Sequence, residues 1–253
     1  MSELRYDYSV FEKVGLEEEP IGVRYGFFRP DDVPPLEQDV KASICEIMRL
    51  SQKENRAFYF SDENTETCVG KVILGMQDFG GFAESGHIGK ELGVFEDHRC
   101  NHNYYHYVEK LRRGTCNYVS FAPLSKMPYE PDVLIVTAPP AQGEIIMRAM
   151  TYSTGELYKS VSSGVMGCSW FLAYPYNKQE VNFVIPRLIH GPHGRELYSD
   201  DTMIISIPYR WIPTVLHGLA NMPIHLTGHE SKEKYYAEFE GILADLGKKA
   251  ENP

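Results

Sequence analysis

Three cysteines in separate segments carry the strongest chemical signal in this chain. Cys45 begins Cys45-Glu-Ile-Met-Arg, Cys68 opens Cys68-Val-Gly-Lys-Val-Ile-Leu-Gly-Met, and Cys168 opens Cys168-Ser-Trp-Phe-Leu-Ala-Tyr. The last two runs have helical character and follow stretches rich in Thr, Ser or Gly; Cys45 is expected near the start of a helix of its own. A helix N-terminus leaves N–H groups unpaired and carries partial positive charge, which favours thiolate over thiol. Three such thiolates would ligate a metal ion, or an iron–sulfur cluster with one iron left open for substrate. The chain has no Cys-x-x-Cys pair and no ferredoxin-type run. The competing reading is therefore that all three are small buried hydrophobes near helix starts.

Two histidine groups come next. His98, His102 and His106 recur at i, i+4 and i+8, which places them on one helical face over about 12 Å at 1.5 Å per residue. An adjacent pair could chelate zinc or another divalent ion. Arg99 stands where metalloprotease helices have glutamate, and Asn101, Asn103, Tyr104, Tyr105 and Tyr107 suggest a solvent or subunit face. The loop His190-Gly-Pro-His193-Gly-Arg195 offers His193 as a proton carrier and Arg195 as a clamp for a carboxylate or phosphate. These two are the expected catalytic pair, acting on a small anionic substrate. A plain connection between strands fits the same composition. Gly81 to Gly86 has the glycine spacing of a phosphate loop, but His87 replaces its lysine. No Gly-x-Gly-x-x-Gly follows a strand, and no Gly-x-Ser-x-Gly elbow is present.

The elements that must position these residues repeat faintly. Ile47-Met48-Arg49 matches Ile146-Met147-Arg148 at an offset of 99 residues; Tyr59 then falls on Tyr158, and one inserted residue brings Cys68 onto Cys168. Each copy reads as strand, helix, strand, Cys-helix, strand. Strands are expected near 21–28, 57–60 and 118–122 in the first copy, and near 132–137, 157–161 and 203–207 in the second. The expected fold class is α/β or α+β, a compact unit of two pseudo-symmetric halves meeting at the thiols. Residues 1–128 form the first half, with an inserted His/Tyr-rich helix at about 95–113. Residues 129–222 form the second, and 223–253 a charged C-terminal helix.

Bulk properties narrow the partners. The chain has 253 residues, is 43% apolar and 24% charged, and carries a net charge of −10 with no basic cluster. This argues against nucleic acid and anionic membrane as partners. The start, Met-Ser-Glu-Leu-Arg-Tyr-Asp-Tyr, lacks a signal-peptide pattern, and no apolar run is long enough to span a bilayer. A cytoplasmic, reducing location is expected, in which five cysteines are not a disulfide framework.

Several segments together resemble the family known as domain of unknown function 169, found in anaerobic bacteria and archaea. They are Pro20-Ile-Gly-Val-Arg, Ser43-Ile-Cys45-Glu-Ile-Met, Cys68-Val-Gly70, Phe121-Ala-Pro-Leu124, Glu130-Pro-Asp-Val-Leu and Asp200-Asp-Thr-Met-Ile-Ile-Ser-Ile-Pro208. The resemblance runs from about Val14 to Leu219 and implies that Cys45, Cys68 and Cys168 belong to a shared pattern. It transfers no reaction.

Three functional readings follow. The first is a cysteine-ligated metal or iron–sulfur enzyme, an oxidoreductase or lyase. The second is a redox protein holding a heme-like tetrapyrrole or a flavin, on the strength of 17 Tyr and 12 Phe. The third is a non-catalytic ligand-binding or interaction protein with structural thiols. A homo-oligomer is expected, with the Tyr-rich helix as a subunit contact.

Overall fold

The computed structural model describes residues 4–65 and 68–251. A six-stranded antiparallel sheet forms its centre, in the order β2-β3-β1-β4-β6-β5. The strands are β1 (Ile21–Gly26), β2 (Phe58–Phe60), β3 (Tyr118–Pro123), β4 (Val133–Ala138), β5 (Asn182–Val184) and β6 (Met203–Pro208). The run Val-Leu-Ile-Val-Thr-Ala makes β4 buried at every position, because helices cover both faces of the sheet. Val133 and Ile135 point to one core, Leu134, Val136 and Ala138 to the other, as strand alternation requires. The long pairs β1–β3 and β4–β6 each run over six residues and frame the centre.

The first core lies under α1 (Ile44–Glu54), α2 (Gly70–Ile73) and a helical stretch over 167–178. The three short helices α3 (Gly81–Glu84), α4 (His87–Glu91) and α5 (His98–Tyr104) belong to the long segment between β2 and β3. The opposite core is closed by the 3-10 helix at Tyr8–Val14, by α6 (Pro140–Thr151) and, later in the chain, by a helix at Ile212–Asn221. Between them come α7 (Tyr174–Lys178) and α8 (His190–Gly194); the helix at Ile212–Asn221 is then α9, and Lys232–Glu251 is α10. Among the described residues no helix is long and apolar enough to cross a membrane.

The fold is thus mixed α and β, and the sheet order divides evenly into β2-β3-β1 and β4-β6-β5. The helices do not follow that division. Met48 on α1 packs into one core, whereas Met147 on α6 packs into the other. The expected strand at 157–161 is extended chain instead: the Asn182 side chain accepts from the Val161 N–H at 2.8 Å and donates to its carbonyl at 2.9 Å. The edge strand of that half is Asn182–Val184. The helix expected over 95–113 is only His98–Tyr104. It starts where Asp97 caps the Arg99 N–H. It ends because Val108 and Leu111 are drawn into the core and the Leu111 N–H bonds Ile73 O at 2.7 Å.

Candidate functional site

Cys45 and Cys168 come from different elements and meet in the core beneath α1, and Cys68, half-buried, stands at its margin. Cys45 is the second residue of α1, whose start is fixed by a capping box: Ser43 accepts the Glu46 N–H, and Glu46 accepts the Ser43 N–H at 2.8 Å. Cys68 stands two residues before α2, and the Gly70 N–H points to its sulfur at 3.3 Å. Cys168 lies at the helix start just before a π turn, Ser169–Ala173.

That π turn has a local cause. Pro175 lacks an N–H to return to Phe171 O. Side chains from the sheet supply the missing donors: Ser206 Oγ to Phe171 O at 2.9 Å, Asn182 Nδ2 to Trp170 O at 2.8 Å, and Tyr25 OH to Leu172 O at 3.1 Å. Widened turns of this kind recur at functional sites. Here the turn seats Cys168 over the sheet, with its sulfur 3.7 Å from that of Cys45.

Gly70 sets the third side. A Cβ there would stand 3.0 Å from the Cys168 sulfur, 3.2 Å from the Cys68 sulfur and 2.9 Å from Ile44 Cδ1. The missing side chain therefore leaves a small space between two thiols, with the third beside it. Among the described residues no group of three His, Cys, Asp or Glu side chains is spaced as a finished metal site. A three-thiol centre needs the Cys68 sulfur to close upon the Cys45–Cys168 pair.

The helix-start effect is overridden at two of these thiols, Cys68 and Cys168. Burial raises Cys68 above the ordinary thiol range, against the Ile44 and Gly70 N–H groups that lower it. Cys168 is held well above that range by its hydrogen bond with Cys45 and then by burial. At Cys68 and Cys168 the surroundings thus favour the thiol over the thiolate that a helix start alone would favour.

The thiols line the inner end of a cavity of about 550 Å³. Val69, Val72, Phe79, Ile88, Leu92 and Met166 give it largely apolar walls, and Arg195 and His190 from the α8 region bring polarity. Arg195 Nε lies 3.5 Å from Glu46 Oε2, and its Nη1 donates to Gly191 O at 3.2 Å. These contacts hold the guanidinium near the rim while using only part of its five-donor fork. Arg195 is thus placed at the cavity, and His193 is exposed and outside its lining; the histidine that does line it is His190.

The other predicted ligands lie elsewhere. His98 stacks on His87 with ring centres 4.5 Å apart, and the His102 and His106 rings meet edge to face at 5.5 Å. His102 Nδ1 lies 2.6 Å from Glu84 O. His106 falls beyond the end of α5, so the three do not share a helical face. Cys100 is exposed. Cys116 is buried, donates to Tyr118 O, and is pushed up to about 12 by burial.

Sequence reasoning missed Tyr198. Its hydroxyl is buried without a hydrogen-bond partner, and its ring packs against the core that holds Cys45 and Cys168. Nothing in its local pattern, Arg195-Glu-Leu-Tyr198, marks it beyond a spacing of one helical turn from Arg195. Gly70 did leave a signal, the Cys68-Val-Gly70 segment.

The comparisons with known proteins agree with the resemblance carried by those segments. The model of the DUF169 family, described as an uncharacterised ArCR group, matches residues 10–218, and the chain belongs to that family. No curated protein and no solved structure matches it.

Proposed function

We propose that this member of the DUF169 family is an enzyme that holds a metal or iron–sulfur centre on Cys45, Cys68 and Cys168 and binds a small organic anion in the cavity beside it. The observation that carries this reading is the pair of thiols, Cys68 and Cys168, that face the space left by Gly70, with Cys45 3.7 Å from Cys168. The donor set suits soft, thiolate-preferring metals. Two sulfurs on one tetrahedral ion, each about 2.3 Å from it, stand about 3.8 Å apart, close to the 3.7 Å between Cys45 and Cys168. A cubane cluster, with each thiolate on its own iron, would need that pair to spread.

The chain's own groups divide the remaining work. Arg195 would bind the anionic end of the ligand, oriented by Glu46 and the Gly191 carbonyl. His190, which lines the cavity where His193 does not, would move a proton at the same end. Val69, Val72, Ile88 and Leu92 would cover the apolar part of the ligand and exclude water. A centre with an open position would supply redox or Lewis-acid chemistry next to it.

The test is metal and acid-labile sulfide analysis, with a visible spectrum, on anaerobically purified protein. The expected result is stoichiometric metal that is lost in each of Cys45→Ala, Cys68→Ala and Cys168→Ala while circular dichroism stays unchanged. Sulfide matching iron identifies a cluster, and metal without sulfide a single ion. Full metal retention in all three variants sinks the proposal, as does a metal-free protein with a flavin or Soret band.

A further inference from the structure

We infer that Cys45 and Cys168 are a redox-active dithiol, which closes to a disulfide as it reduces a small organic disulfide bearing a carboxylate in the cavity that both cysteines line. The inference concerns the bare chain and goes beyond the metal reading. Three observations carry it. The two sulfurs stand 3.7 Å apart, although 123 residues separate them along the chain. A disulfide bond is about 2 Å long, so a small turn of the two side chains joins them. Each sulfur is also placed by a device of its own: the capping box that starts α1 sets Cys45, and the π turn held by Ser206, Asn182 and Tyr25 sets Cys168. Finally, both residues are all but sealed, at 7% and 4% exposed, yet both line the cavity, so a reactant there can meet them. Cys68 lines the same cavity, but the sulfurs in contact are those of Cys45 and Cys168.

The cavity also indicates the oxidant. A volume of about 550 Å³ with largely apolar walls suits an organic molecule. Arg195 reaches Glu46, the neighbour of Cys45, at 3.5 Å, and would hold the carboxylate so that the substrate's sulfurs lie against Cys45. The Cys45 thiolate attacks one sulfur of R–S–S–R, forming Cys45–S–S–R and expelling one RS⁻. Cys168 then attacks the Cys45 sulfur and expels the second. The two thiol protons leave on two RSH. The cysteines are oxidised by two electrons, and the substrate's S–S bond is reduced by them.

The test uses the full chain, freed of metal by chelator and reduced, with exposed Cys100 changed by Cys100→Ser so that it does not exchange. It is treated anaerobically with 3,3′-dithiodipropionate. The expected result is loss of two thiols per chain, release of two mercaptopropionates with none left on the protein, and a Cys45–Cys168 cross-linked peptide by mass spectrometry. Dithiothreitol reverses it. In Cys168→Ala the reaction stops with one mercaptopropionate released and the other bound to Cys45. Arg195→Gln slows dithiodipropionate about 10-fold more than it slows uncharged bis(2-hydroxyethyl) disulfide. A wild-type chain whose Cys45 and Cys168 stay reduced when folded and react only in guanidinium overturns the inference. A cross-link through Cys68 overturns the pairing, and equal slowing of both probes by Arg195→Gln overturns the substrate class. Metal analysis of the untreated protein tests the centre and not this pair, so the two readings fail separately.

Discussion

Gly70 decides how closely the sulfurs can gather. In Gly70→Ala the new methyl would stand 2.9 Å from Ile44 Cδ1, 3.0 Å from the Cys168 sulfur and 3.2 Å from that of Cys68. The Ile44 methyl can shift, so the cost to stability is that of modest overpacking, about 1–3 kcal/mol. The sulfurs must be pushed apart, so if they hold the proposed centre its metal content falls far more than stability. Denaturant titration of the metal-free variant and metal analysis of the purified one check both halves; a variant with wild-type metal content would show that the gap at Gly70 is not part of the centre. At this scale the cysteines were legible because thiol chemistry is carried by residue type. Tyr198 was not, because one tyrosine among 17 is singled out only by an unpaired hydroxyl, which a sequence cannot display. His193 and His190 sit three residues apart in the same loop, and only the backbone path chooses which one lines the cavity.

Elements were legible where their cause is local and obscure where it is remote. The apolar strands between prolines follow from pattern, the helix at Ile44–Glu54 from pattern and its capping box, and that at Pro140–Thr151 from pattern and the proline at its first position. The π turn at Ser169–Ala173 depends on Pro175 nearby but also on Ser206, Asn182 and Tyr25, which arrive from three other strands. The helix expected over 95–113 stops at Tyr104 because the following residues are recruited to the core by α2. The π turn gives a direct test. Ser206 is buried and donates to Phe171 O, so Ser206→Ala leaves that carbonyl unpaired in the core. The expected loss is about 1–3 kcal/mol, read by urea unfolding. A near-neutral result would mean that the turn relaxes and takes the carbonyl up itself.

On the scale of the whole molecule, the sheet takes three strands from residues 1–128 and three from 129–222, but the side on which each helix packs was not legible in the repeat. Strands buried on both faces, such as β4, read as continuous apolar runs and carry no sign of which face a helix will take. So the repeat aligned Met48 with Met147, although their helices cover opposite cores. The same view sets α10 apart. The family match stops at residue 218, and the sheet, the buried residues of both cores apart from Tyr8, Leu219 and Met222, and every residue lining the thiol cavity fall within its span. α10 lies beyond it, is exposed along Lys232–Lys249, and packs mainly against the turn at Thr227–His229. Its apolar side chains, from Tyr235 and Phe239 to Ile242 and Leu246, are about half exposed. A helix with no residue in either core adds little to a cooperative unit, and two interior glycines, Gly241 and Gly247, lower its own propensity further. Truncation after Glu230 is therefore expected to leave the metal content and the melting temperature of the remaining chain unchanged. Scanning fluorimetry and metal analysis on both lengths test this. A lower melting temperature in the shorter chain would mean that the apolar face of α10 is covered in solution, and comparing the sedimentation of the two would show whether a second copy covers it.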